Sequence, residues 1–149
     1  MSPEERMVCG KAQNDSRLKG TYDLEALEEL IASLIEASFQ GAAIIVEGRR
    51  DEQALRALGL KGPVIMASRR PALDLAEDAA RNFPQIVLLT DWDEKGDEMA
   101  KMIDLHLRSA GSRPDLEIRS RLKKLVKKEI KDVESLSLYV ERMREQNGR

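Results

Sequence analysis

Two aspartates flank a tryptophan at the end of the chain's most strand-like run. Ile86, Val87, Leu88 and Leu89 lead through Thr90 to Asp91, Trp92 and Asp93. A second apolar run, "AAIIV", ends at Glu47 and Gly48. Residues two apart in extended chain point the same way, roughly 7 Å apart at about 3.3 Å per residue, so Asp91 and Asp93 share a side. If the two runs are neighbouring strands, three carboxylates converge on one crevice. Such a cluster repels itself unless a cation sits within it, and a hard ion with oxygen ligands, Mg²⁺ or Mn²⁺, is the natural occupant. The plainer account makes Asp91 and Asp93 caps of the next helix and Glu47 a solvated strand end; capping, however, needs one aspartate rather than two.

The elements that must position these acids alternate along the chain. Asp23 to Phe39 carries Leu24, Leu27, Ile31, Leu34, Ile35 and Phe39 at helical spacing, with Asp23 as a cap and Gly41 as the break. "AAIIVEG" follows as a buried strand, then "RRDEQALRALGLKG" as a helix with Ala54, Leu55 and Leu58 inward. "PVIMAS" is a strand, "PALDLAEDAARNF" a helix with proline in its first turn, "QIVLLTD" a strand and "KGDEMAKMIDLHLRSAG" a helix ended by Gly111. "DLEIR" is expected as a fourth strand. Short strands alternating with longer helices predict an α/β three-layer sandwich around a central, mainly parallel four-stranded sheet. In such a sheet, ligands sit at the carboxyl ends of the strands, beside a switch in strand order. Gly48 and Gly96 are expected to let the chain turn tightly into helices whose first amides favour an anion such as phosphate.

The expected division is a flexible tail over 1–20, a helix over 21–41 packing on the domain, the α/β domain over 42–119, and a basic helical extension over 120–149. Leu122, Leu125, Val126, Ile130 and Val133 of that extension face inward and cover the sheet. Lysine plus arginine number 25 against 27 acids in 149 residues, a balance of −2 that excludes a general cationic coat while permitting a local basic patch. Cys9 is the only cysteine, which excludes an internal disulfide and a cysteine-based zinc site and fits a cytoplasmic protein. No apolar stretch approaches a membrane span, and the amino-terminal segment lacks the apolar core of a secretion signal.

"VEGRRD" (46–51) and "TDWDEKGDEMA" (90–100) resemble the two signature motifs of the Toprim domain, shared by type IA and type II topoisomerases, bacterial-type primases, and the ribonuclease that matures 5S ribosomal RNA. The resemblance covers about residues 42 to 119. It implies a Rossmann-like Toprim fold, with Glu47 as general acid or base and metal ligand, and Asp91 and Asp93 holding Mg²⁺. Gly48, Asp51 and Gly96 match positions that shape the two turns. Lys95 stands where the topoisomerase form "DPDREGE" has a third acid, which leaves one or two metals open, with Asp97 as the available substitute. The chain has no room for the tyrosine domain of a topoisomerase or the template module of a primase, so the small stand-alone class fits, and "IKDVES" faintly resembles the "GVEHA" region of the maturation ribonuclease.

The implied activity is Mg²⁺-dependent phosphodiester chemistry on nucleic acid, RNA favoured over DNA, as an rRNA-processing-like nuclease. Its rivals are a non-catalytic nucleic-acid-binding module and a metal-site subunit of a primase- or topoisomerase-like complex; the first helix could also pair with a second copy as a homodimer. Arg49, Lys95, Arg69 and Arg70, at strand ends or the turns after them, are candidates to grip phosphates, against the alternative of plain solvated surface. "RSRLKKLVKKEIK" carries seven cations against Glu129 alone and is read as one helix, either a solvated face or an RNA contact. Trp92 is expected to pack under a helix rather than stack on a base, and His106 to be structural.

Overall fold

The computed structural model describes residues 16–148, with side chains from residue 23 onward. Ten elements follow one another: α1 (Ser16–Phe39), β1 (Ala43–Val46), α2 (Arg49–Ala57), β2 (Val64–Met66), a 3₁₀ turn (Ala67–Arg69), α3 (Ala72–Asn82), β3 (Ile86–Leu88), α4 (Glu94–Ser109), α5 (Glu117–Val126) and α6 (Leu136–Gln146). The three strands form one parallel sheet in the order β2-β1-β3. Ile44 pairs with Val64 on one side and Val87 on the other, and Ile45 with Ile65 and Leu88.

Every residue of β1 is buried, as an unbroken apolar run at the centre of a parallel sheet must be. Its side chains alternate between two cores. Ile44 and Val46 join Leu27, Ile31 and Leu34 of α1, Leu55 of α2, Ile118 and Leu122 of α5, and Val140 of α6. Ile45 joins Leu75 and Ala79 of α3 and Ile103 and Leu107 of α4. The sheet is therefore sandwiched, with α3 and α4 on one face and α1, α2, α5 and α6 on the other. Each fully buried leucine or isoleucine contributes roughly 1.5–3 kcal/mol. Because α2 leaves β1 toward one face and α4 leaves β3 toward the opposite face, the chain parts at the carboxyl ends of these two neighbours and opens a crevice there.

Four expectations require correction. The sheet has three strands rather than four: in "DLEIR" only Asp115 pairs, its amide and carbonyl bonding Ile86 O at 2.8 Å and Leu88 N at 2.9 Å. Asp115 Oδ1 then accepts the Glu117 amide at 2.7 Å, and Ile118, Leu122 and Val126 follow at helical spacing, so the chain enters α5 at once. The first helix begins at Ser16, which places Asp23 inside it rather than at its cap and makes the last residues of the expected tail helical; Cys9 and the rest of that tail lie outside the described residues. Phe39 is 86% exposed, because buried Ser38 occupies the inward position of the last turn and its Oγ accepts the Gly62 amide. The basic segment is not one helix, since α5 stops at Val126 and the chain turns before α6. Among the described residues, no helix is long and apolar enough to cross a membrane.

Candidate functional site

Glu47 follows β1 directly, and Asp91 lies three residues beyond β3. Leu89 N still bonds Ile45 O at 2.8 Å, so the two chains stay paired past the strand ends. The result is close contact between the two acidic segments: Glu47 Oε2 accepts the Asp91 amide at 3.0 Å. Asp91 Oδ1 in turn accepts the Val133 amide from the turn before α6, at 2.9 Å. The second oxygens of both carboxylates accept no hydrogen bond among the described residues.

Burial raises the Glu47 carboxyl above its ordinary value; the Asp91 amide works against this, and the charges of Asp93 and Asp51 add to it. Asp91 is pushed up to about 7, first by burial, opposed by the Val133 amide, and then by Asp51, Glu47 and Asp132. Asp51 is also raised by burial, with Glu134 and Asp132 adding to it, while its Oδ2 accepts the Gly48 amide at 3.0 Å. Acids from the end of β1, α2, the β3–α4 loop and the α5–α6 turn thus raise one another, with Lys95 opposing this at Glu47. Asp132 was not singled out among the site acids, although it lies in the noticed "IKDVES" segment.

Asp93 serves as the cap of α4, its Oδ1 accepting the Gly96 amide at 2.7 Å. The capping account is therefore right for this residue, and its charge also raises Glu47. Asp97 does not supply a third acid. It pairs with Arg119 and Lys123, each at 2.7 Å, and is held below its ordinary value because those hydrogen bonds outweigh the upward effect of burial.

Of the two glycines, Gly96 differs from expectation, while Gly48 does lie at the turn into α2. Gly96 sits inside α4, not in the turn, and a Cβ there would drive into the Asp91 carbonyl. Its lack of a side chain lets the first turn of α4 press against the acidic loop, where Thr90 Oγ1 also bonds the Gly96 carbonyl at 2.8 Å. Gly48 caps α2 in ordinary extended backbone, and its Cβ would meet only Ser68 Oγ at 3.9 Å.

Arg119 is the positioning residue that the sequence hid. Only 8% exposed, it donates from Nε to the Thr90 carbonyl at 3.0 Å and from Nη2 to the Asp91 carbonyl and to Asp97. Its spacing to Leu122 and Val126, three and seven residues on, puts it on the apolar face of α5 and was the available signal. Among the candidate phosphate-gripping cations, Arg49 and Lys95 are exposed beside the crevice, and Lys95 lowers Glu47. Arg69 is exposed in the 3₁₀ turn, while Arg70 turns away to Asp78 at 2.8 Å. Trp92 packs: it is 3% exposed, with Nε1 donating to the Ile130 carbonyl at 2.8 Å and its amide to the Lys131 carbonyl at 3.1 Å.

Oxygen-rich, mutually repelling carboxylates suit a hard divalent cation such as Mg²⁺ or Mn²⁺. Among the described residues, no three histidine, cysteine, aspartate or glutamate side chains are already grouped to hold an ion. Mg²⁺ does not require a closed protein cage, because it keeps several waters and binds through one or two carboxylates. Glu47 and Asp91 are the residues that would supply such carboxylates.

Fold and site together define an α/β protein with an acidic crevice at the carboxyl ends of two adjacent parallel strands. The chain belongs to the UPF0292 family: it is 44% identical over 125 residues to a UPF0292 protein of Methanosarcina barkeri, covering 84% of this chain and 87% of that one. It is 46% identical over 113 residues to a UPF0292 protein of Thermococcus gammatolerans, covering 75% and 82%. A solved structure of a protein from Aquifex aeolicus is similar in fold, with a TM-score of 0.64 and 30% identity over 73% of this chain and 96% of that one. No protein-family model matches the chain.

Proposed function

We propose that this protein is a small stand-alone Toprim-type enzyme that cleaves phosphodiester bonds in nucleic acid, RNA by preference, with Mg²⁺ held by Glu47, Asp91 and Asp93. The observation that carries the proposal is the bond from the Asp91 amide to Glu47, which joins the two resembling motifs at the strand ends. Glu47 and Asp91 would hold the ion, with Asp93 joining them while continuing to cap α4. A bound Mg²⁺ supplies a water of lowered pKa and positive charge against the oxygens of the reacting phosphate.

The chain's own groups do the remainder. The Val133 amide and the Arg119 guanidinium fix the two ends of Asp91, side chain and carbonyl, so that its carboxylate holds one orientation. Glu47, raised by burial, either takes or gives the proton or completes the metal coordination. Arg49 and Lys95 orient the phosphate from the crevice rim.

The test is cleavage of labelled ribosomal RNA precursors, single-stranded DNA and double-stranded DNA with Mg²⁺ or Mn²⁺, against a chelator control. In the Asp91→Asn, Asp93→Asn double variant the amide oxygens still accept from Val133 and Gly96, so the fold persists while cleavage is abolished. Undiminished cleavage by that variant refutes the proposal, and RNA binding by the wild type without turnover identifies a non-catalytic binding module instead.

A further inference from the structure

An acidic crevice repels a polyanion, so a phosphodiester substrate needs an attractive surface beside it. One lies on the far side of Trp92. A groove of about 430 Å³ is lined by Trp92 with Lys123, Lys127, Lys128 and Lys131 from the end of α5 and the turn that follows. Lys123 spends part of its charge on Asp97, but Lys127, Lys128 and Lys131 are exposed and form no ion pair among the described residues. Glu129, the acid of this segment, is not part of the lining. The chain as a whole carries a net charge of −2, so this is a local concentration of positive charge rather than a general coat.

The groove is tied to the crevice. The Trp92 indole and amide hold the carbonyls of Ile130 and Lys131, and the Val133 amide holds Asp91, so three bonds stitch the lysine-bearing turn to two consecutive residues of the acidic loop. The groove therefore adjoins the loop that carries Asp91. The volume is that of a small-molecule pocket, enough for a nucleotide or two of one strand and too small to seat a duplex.

We infer that this groove binds the backbone of single-stranded nucleic acid flanking the scissile bond, its lysines contacting phosphates on one side of the carboxylate crevice. The inference rests on the phosphodiester reading of that crevice and names where the substrate lies. Affinity would be largely electrostatic, hence salt-dependent and tolerant of base sequence.

Trp92 is the only tryptophan in the chain, so its emission reports on the groove without a label. The experiment titrates the full-length protein with oligouridylate at several salt concentrations, following both Trp92 fluorescence and anisotropy of a labelled strand. The wild type should show a change in tryptophan emission that saturates with binding. The Lys127→Glu, Lys128→Glu, Lys131→Glu variant, shown by circular dichroism to melt like the wild type, should bind at least roughly tenfold more weakly. Its salt slope should be shallower by about 2, near 0.7 per lost phosphate contact. Binding unchanged within about twofold in that variant, no tryptophan response in the wild type, or binding to anionic lipid vesicles without binding to oligouridylate overturns the inference. If the triple variant loses binding while the wild type never turns over RNA, the groove stands and the catalytic reading falls. If cleavage depends on Asp91 but the triple variant binds normally, the groove falls and the catalytic reading stands.

Discussion

Glu47 and Asp91 are 44 residues apart in the chain, yet a carboxylate oxygen of the first accepts the backbone amide of the second at 3.0 Å. The contact uses a main-chain donor of Asp91 and leaves both acids one oxygen to share with a ligand. The bond itself favours the Glu47 carboxylate, but the placement of the two acids is electrostatically unfavourable, since burial and neighbouring acids raise both groups.

That penalty has a pH signature. Asp91 ordinarily titrates at 3.8 and is pushed up to about 7 in the fold, so the native state holds its proton more tightly than the unfolded chain does. The stabilisation is present in full below about 4 and is lost as pH rises through about 7. Glu47 and Asp51, also raised, act in the same direction, while Asp97, lowered, acts in the opposite one. In chelator, urea unfolding of the wild type should show stability falling across that window, and Asp91→Asn should flatten the slope. Added Mg²⁺ should restore wild-type stability above pH 7 and do little for the variant. Equal slopes for the two proteins would contradict this.

Arg119→Met should cost about 2–4 kcal/mol in urea unfolding, because it strips two loop carbonyls of a buried donor and leaves Asp97 without its bonded guanidinium. Arg119→Lys should recover little, since a lysine ammonium lacks the fork that reaches Thr90, Asp91 and Asp97 together. A loss under about 0.5 kcal/mol for Arg119→Met would show that the clamp is dispensable.

The two glycines should separate cleanly. Gly96→Ala forces α4 away from the Asp91 carbonyl and should cost about 1–3 kcal/mol, and Mg²⁺ affinity should fall with it as the loop shifts. Gly48→Ala meets only ordinary contact with Ser68 and should cost no more than about 1 kcal/mol, the usual preference for glycine over alanine at a helix cap. Thermal denaturation of both variants decides it; equal losses would contradict the assignment.

Trp92→Phe removes the donor to Ile130 and should cost about 1–2 kcal/mol while loosening the turn that delivers the Val133 amide. Hydrogen exchange at Val133 should quicken; unchanged exchange there would show the turn to be held by other means.

Much of this arrangement is legible in the sequence because parallel strands buried on both faces are continuous apolar runs with acids abruptly at their ends. "AAIIVEG" and "QIVLLTD" could be read as buried strands ending in acids on that ground alone, whereas their adjacency is supplied by the strand order of the sheet. What escaped reading depends on three-dimensional competition. Arg119 looked like one more cation in a basic run, and only the burial of its apolar-face neighbours shows that it points inward. Asp115 begins a fourth strand and abandons it because its side chain opens α5. Phe39 has the right spacing for the core but loses the position to Ser38, whose hydroxyl binds the Gly62 amide. Gly96 looked like a turn residue, whereas its role is to admit a carbonyl from another segment, a contact that no local pattern encodes.

Acids from distant segments are proposed to share one divalent ion, and Mn²⁺ titration at pH 8, read by the paramagnetic resonance of the free ion, decides whether they do. The wild type is predicted to take up at least one Mn²⁺ per chain, displaced by Mg²⁺, and Glu47→Gln with Asp91→Asn to take up none at that site while remaining folded. Equal uptake by the double variant, or no uptake by the wild type at millimolar Mn²⁺, would contradict it.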